Sequence, residues 1–166
     1  LFRSVLVRAG REKSVAATKT YTGQLLSFYL LAYALGAKIQ LDDLRRLPEL
    51  AASALTLEKE MAARAERYKY ARHAVVIGRG LNYSNAFEWA LKMMETCYII
   101  AERFSQADIL HGPIAMVEPS FPAFVLAPTG PTWPVMNEMI AKLANLHAET
   151  MVLTDKSNIE APKSAL

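Results

Sequence analysis

The chain has 166 residues, 52% of them hydrophobic and 21% charged, a balance that belongs to a globular protein and excludes a disordered tail. Lys and Arg number 19 against 16 Asp and Glu, and the resulting +3 comes without a basic run or interleaved aromatics, which argues against a nucleic-acid partner. The single cysteine, Cys97, forbids an internal disulfide and fits a reducing, cytoplasmic setting.

Residues 1–7, LFRSVLV, alternate and are rich in branched side chains, which predicts a strand. Residues 8–20 read as a loop. Residues 21–36, YTGQLLSFYLLAYALG, form a long apolar helix stopped by Gly36. With Ala37 this is the longest uncharged run, yet it falls short of the ~20 residues that span a bilayer, so it is expected to be a buried helix and no membrane partner is expected. Residues 42–71 are amphipathic and broken at Pro48, with Leu50, Leu55, Leu57 and Met61 spaced for one-sided packing.

A more regular unit follows. Residues 73–80, HAVVIGRG, are an apolar run closed by glycines, as expected of a strand buried on both faces. Residues 82–101 read as a helix and 102–121 as a connection containing a short helix that ends at His111-Gly112-Pro113. Residues 122–128 and 149–155 read as strands, with a helix over 132–148 between them. Strands alternating with helices predict an α/β fold: a parallel sheet with helices on both faces, a three-layer α/β/α sandwich.

Several groups along this order can carry chemistry. Glu88, Lys92 and Glu95 recur at i, i+4 and i+7, within about 60° of one helix face, while Leu91, Met94 and Tyr98 lie beside them to meet the sheet. Such a triplet also suits a solvated face, and Glu88 suits a capping box with Asn85. Gly78-Arg79-Gly80 between strand and helix aims backbone N–H groups above the sheet, although a dinucleotide fingerprint would need a third glycine; Ser84 or Asn85 is the expected helix cap. Thr18, Thr20, Thr22 and Lys19 gather at a helix start, where they could hold a phosphate or sugar oxygen or simply cap the helix. Cys97 reads as a small buried residue, and His73 and His147 as structural or exposed.

Residues 77–117, IGRGLNYSNAFEWALKMMETCYIIAERFSQADILHGPIAMV, resemble the second sugar-isomerase (SIS) domain of the glucosamine-6-phosphate synthase family, with its G-R-G, A-L-E-x-A-L-K-x-K-E and H-G-P pattern. Residues 8–36 are similar to the end of that family's first SIS domain, E-x-x-V-A-x-T-K followed by a long apolar helix. The two likenesses lie in order along one chain. They imply a flavodoxin-like sheet and three segments: the C-terminal remnant of a first SIS domain (1–37), a helical connector (38–72) and an incomplete second SIS domain (73–166). The family's S-x-S-G-x-T phosphate loop is not among these residues, so the chain is expected to be part of something longer.

The resemblance also implies chemistry. Glu95 matches the carboxylate that moves a proton between C1 and C2 of fructose 6-phosphate, and Lys92 a lysine of the same pocket. His111 matches the ring-opening histidine that a homodimer contributes to its neighbour's site. Val15 and Thr18 fall in the segment bordering the sugar, and Glu88 sits with Lys92 and Glu95. Shifting a proton through an enediol asks for one base near both carbons and one donor–acceptor for the ring oxygen, tasks that suit a carboxylate and an imidazole. Neither a metal nor another cofactor is implied. The implied function is that of a phosphosugar isomerase, aminotransferase, deaminase or deglycase acting on a hexose 6-phosphate or amino-sugar phosphate. A non-catalytic phosphosugar sensor and a dimerisation scaffold are the rivals. The chain departs from the pattern at Ala17, Trp89, Met93, Met94, Asp108 and Leu110. Lys163, in APKSAL, resembles the imine-forming lysine of the family's tail but follows the last strand too closely to be assigned that role.

Overall fold

Every residue of the apolar run 74–78 is buried, and the run forms the centre of a parallel sheet. The computed structural model describes residues 4–161, so Lys163 lies outside the described residues. Two compact units divide the chain, Leu1–Arg67 and Tyr68–Leu166.

In the second unit four strands, β1 (His73–Gly78), β2 (Ile100–Ser105), β3 (Pro122–Leu126) and β4 (Glu149–Leu153), stand in the order β2-β1-β3-β4, all parallel. Alternate side chains of the central strands point to opposite faces. Val75, Ile77, Ala123 and Val125 join Met136, Met139, Ile140 and Leu143 of one helix (Trp133–Asn145). Ala74, Val76, Ala101 and Phe124 join Ala86, Ala90 and Met93 of another (Leu81–Cys97), with Tyr68 beside them. The three-layer sandwich expected from the alternation is what forms.

The strand β2 is a correction. Residues 82–101 do not make one helix: it stops at Cys97, where Tyr98 takes a left-handed conformation (φ 57°), and Ile100–Ser105 pair with β1 from His73↔Ile100 to Gly78↔Ser105. This edge strand mixes Glu102 and Arg103 with apolar residues and so lacks a buried strand's continuous pattern. Trp89, where the family pattern has a small residue, packs on Phe124 with ring centroids 5.2 Å apart.

The first unit is helical: α1 (Lys19–Ala34), α2 (Leu41–Arg45), α3 (Leu47–Leu55) and α4 (Glu58–Ala65), so that in chain order Leu81–Cys97 is α5, Gln106–Ile109 is α6 and Trp133–Asn145 is α7. Pro48 lies in the first turn of α3, where its missing N–H costs nothing, so the break falls between α2 and α3. Three expectations change here. Residues 4–7 are not a strand, for no described strand of this unit offers pairing; the segment instead runs past Gly23, where an added Cβ would lie 3.3 Å from Val7 Cβ. The apolar helix forms, but none of its residues is buried and Phe28 is 67% exposed, because no described element of its unit covers it. Leu50, Leu55 and Leu57 are likewise exposed.

Candidate functional site

A parallel sheet whose strand order reverses between β1 and β3 opens a crevice at the carboxyl ends of those strands. Gly80 stands there with φ 59°, and a Cβ on it would lie 3.4 Å from Thr132 Cγ2, so the loops after β1 and β3 touch. α5 starts at once, with Gly80 as its N-cap. Ser84 and Asn85 are therefore inside the helix, not at its cap: Ser84 Oγ donates to the Leu81 carbonyl at 2.7 Å and Asn85 Nδ2 to Asn82 Oδ1 at 3.0 Å.

The acidic trio sits further along α5. Lys92 Nζ donates to Glu95 Oε2 at 2.7 Å and lies 3.2 Å from Glu88 Oε1. The three side chains keep 20–22% of their exposure, so the pairs are better shielded than an ordinary surface bridge. The hydrogen bond to Glu95 raises the Lys92 ammonium above its ordinary value, against the opposing effect of burial and with help from Glu88. One cation between two carboxylates leaves a net negative charge and fixes the position of Glu95. At about 1.5 Å per residue, Glu95 lies roughly 20 Å along the helix from Gly80, so the trio and the switch-point crevice are separate places.

α5 is rotated differently from the sequence expectation. Ala86, Ala90 and Met93 face the sheet, while Leu91 and Tyr98 are 40% and 87% exposed. Small side chains let the helix approach the strands closely, and Tyr98 falls beyond the helix end. Cys97 is exposed, not buried, since the last turn of α5 runs past the sheet-facing stripe; its Sγ lies 3.5 Å from Thr96 Oγ1.

His111 is held by its backbone. Ser105 caps the short α6, accepting from Asp108 N–H at 3.1 Å and donating to Asp108 Oδ2 at 2.6 Å. The His111 N–H then donates to the Asp108 carbonyl at 3.1 Å, and Gly112, at φ 138°, turns the chain into the 3-10 turn Pro113–Met116. The residue is exposed, and among the described residues its imidazole makes no hydrogen bond to the trio. The sequence reading took Asp108 only as a departure from the family pattern and missed its cap with Ser105, though S-x-x-D is a capping signal.

Val15 and Thr18 belong to the other unit, in a loop before α1; Val15 is 88% exposed and Thr18 is the helix N-cap with no capping hydrogen bond from its side chain. The sequence left open whether this helix start holds an outside anion or is simply capped, and in the structure a carboxylate of the chain itself occupies it. Glu12 is there: its Oε1 accepts from Thr20 N–H and Thr20 Oγ1, both at 2.9 Å, and its Oε2 pairs with Lys19 Nζ at 3.0 Å. The positive end of a helix attracts the nearest carboxylate, and the chain supplies its own. Thr22 Oγ1 bonds back to the Lys19 carbonyl at 2.9 Å. Among the described residues no three His, Cys, Asp or Glu side chains gather as a metal site, and no helix is long and apolar enough to cross a membrane.

A doubly wound parallel sheet defines a flavodoxin-like α/β domain, and this one carries a carboxylate–ammonium–carboxylate trio on the helix after its first strand. The chain belongs to the SIS domain family, which matches residues 68–165. It is 40% identical over 139 residues to the glutamine–fructose-6-phosphate aminotransferase [isomerizing] of Pyrococcus horikoshii, covering 80% of this chain and 23% of that protein. The protein of the same name from Xylella fastidiosa strain 9a5c is 42% identical over 131 residues, covering 73% of this chain and 22% of its own length. The C-terminal domain of glucosamine-fructose-6-phosphate aminotransferase from Francisella tularensis superposes with a TM-score of 0.85 at 28% identity, over 92% of this chain and 46% of that one. The chain thus spans less than a quarter of the length of these curated relatives.

Proposed function

We propose that the chain contributes to an SIS enzyme that binds a phosphorylated hexose or amino sugar, such as fructose 6-phosphate or glucosamine 6-phosphate, and moves a proton between C1 and C2. Glu95 takes the proton from one carbon and returns it to the next. Lys92 keeps that carboxylate in place and offsets negative charge as the enediol-like intermediate forms. His111 opens the sugar ring in the site of a second subunit, and Val15 and Thr18 contact the sugar. The observation that carries this reading is the clamp of Lys92 between Glu88 and Glu95. An isolated surface glutamate would sample many rotamers; this one has a defined oxygen position, as a shuttle between adjacent carbons requires. The exposure of His111 supports a role outside its own unit.

The test is turnover of fructose 6-phosphate and glucosamine 6-phosphate by the full-length protein carrying Glu95→Gln or His111→Ala. Removal of a general base is expected to lower kcat by about 10²–10⁴. Unchanged rates in both variants would exclude the assignment. Binding of the sugar phosphate without turnover in the wild type would favour a sensor instead.

A further inference from the structure

The loop before α1 has no helix or strand between Gly10 and Thr18, yet it carries the two residues assigned to the sugar. It is tied at its base. Glu12 reaches eight residues ahead to the first turn of α1 and engages three donors there, Thr20 N–H, Thr20 Oγ1 and Lys19 Nζ. Lys19 Nζ also donates to the Arg11 carbonyl at 3.0 Å, which closes the same loop from the other direction. Inside it, Ser14 Oγ donates to the Ala16 carbonyl at 3.0 Å. With Val15 almost fully exposed, no apolar packing of that side chain holds the loop. Glu12 thus supplies three of the hydrogen bonds that tie this loop to the first turn of α1, and the Arg11 carbonyl another.

We propose that Glu12 is a positioning residue that clasps residues 12–20 and so sets the conformation in which Val15 and Thr18 meet a sugar phosphate. This rests on the reading above that those two residues contact the sugar. A clasp acts on ground-state binding: its loss lets the loop sample conformations that do not receive substrate, which raises KM and leaves the chemical step intact. A mere helix cap would instead change stability and leave KM where it was.

The experiment is steady-state kinetics on the full-length protein with Glu12→Gln, which keeps the shape and removes the charge. KM for fructose 6-phosphate is expected to rise about five- to tenfold, the size of exchanging charge-assisted hydrogen bonds for neutral ones, with kcat within about twofold. Amide hydrogen exchange of residues 13–18 is expected to quicken in the same variant. Thr20→Val removes one of the three donors and is expected to raise KM by about two- to threefold, which keeps the test open should Glu12→Gln fail to fold. An unchanged KM in either folded variant overturns the clasp, as does a fall confined to kcat. If Glu95→Gln is inactive while Glu12→Gln keeps its KM, the clasp fails and the proposed function stands. A wild-type protein that neither binds nor converts these sugar phosphates overturns both.

Discussion

At the scale of the residue, two carboxylates stand out for the number of donors they collect. Glu12 is lowered to about 2 from an ordinary 4.5, first by the Thr20 backbone N–H and then by Lys19. Asp155 is lowered to about 2 from 3.8, first by the Ser157 hydroxyl and then by the Thr129 N–H at 2.7 Å, and so ties the loop after β4 to the loop after β3. A depressed carboxylate stabilises the folded state fully above its ordinary value and loses that contribution as the pH falls toward its folded value. Replacing both by amides, Glu12→Gln with Asp155→Asn, is therefore expected to flatten the pH dependence of stability between about pH 2 and 5, read from urea midpoints. Lys92 has the opposite sign: its raised value stabilises below the ordinary 10.5 and is lost only at higher pH, so the trio is intact at neutrality. Neither carboxylate was legible beforehand, because a partner eight or 26 residues away leaves no local pattern. Gly78 belongs to this scale as well. A Cβ there would collide with the Asn82 carbonyl oxygen, so Gly78→Ala is expected to displace the start of α5 and lower the unfolding midpoint by thermal melt.

The elements show which patterns carry information. Continuous apolar runs, closed by glycine after β1 and bounded by proline around β3, marked both strands plainly, because a strand buried on both faces has no polar positions to confuse the reading. β2 was hidden, since an edge strand needs only part of its surface apolar. α5 was visible as a helix, but its rotation was not. The sheet-facing stripe consists of Ala86, Ala90 and Met93, and two of those three are too small to register as hydrophobic anchors. That closeness gives a prediction: Ala90→Leu, at a fully buried site between α5 and the strands, is expected to cost about 1–3 kcal/mol by overpacking, measured by chemical denaturation. α1 makes the converse point. A helix apolar on all sides is one that a larger structure buries, and within its own unit no described element does so.

At the scale of the whole chain there are two units, and the second packs helices on both faces of its sheet. Ile140 is 1% exposed at the centre of the α7 face, so Ile140→Ala is expected to destabilise this unit by about 2–5 kcal/mol in denaturant titration. Glu95 lies in the second unit and Glu12 in the first, and their variants report on separate questions because Glu95→Gln is expected to move kcat and Glu12→Gln to move KM.

By itself, the order of residues determined the alternation of strand and helix, the apolar faces of β1 and β3, and the grouping of Glu88, Lys92 and Glu95, since all of these are set by spacing along a few turns or one strand. Tertiary structure decided the rest. It inserted β2 at the sheet edge, turned α5 on its axis, closed the N-terminus of α1 with Glu12 and left His111 facing outward. Each of those outcomes depends on which groups meet across the chain, and burial and long-range hydrogen bonds are won by proximity that no local pattern encodes.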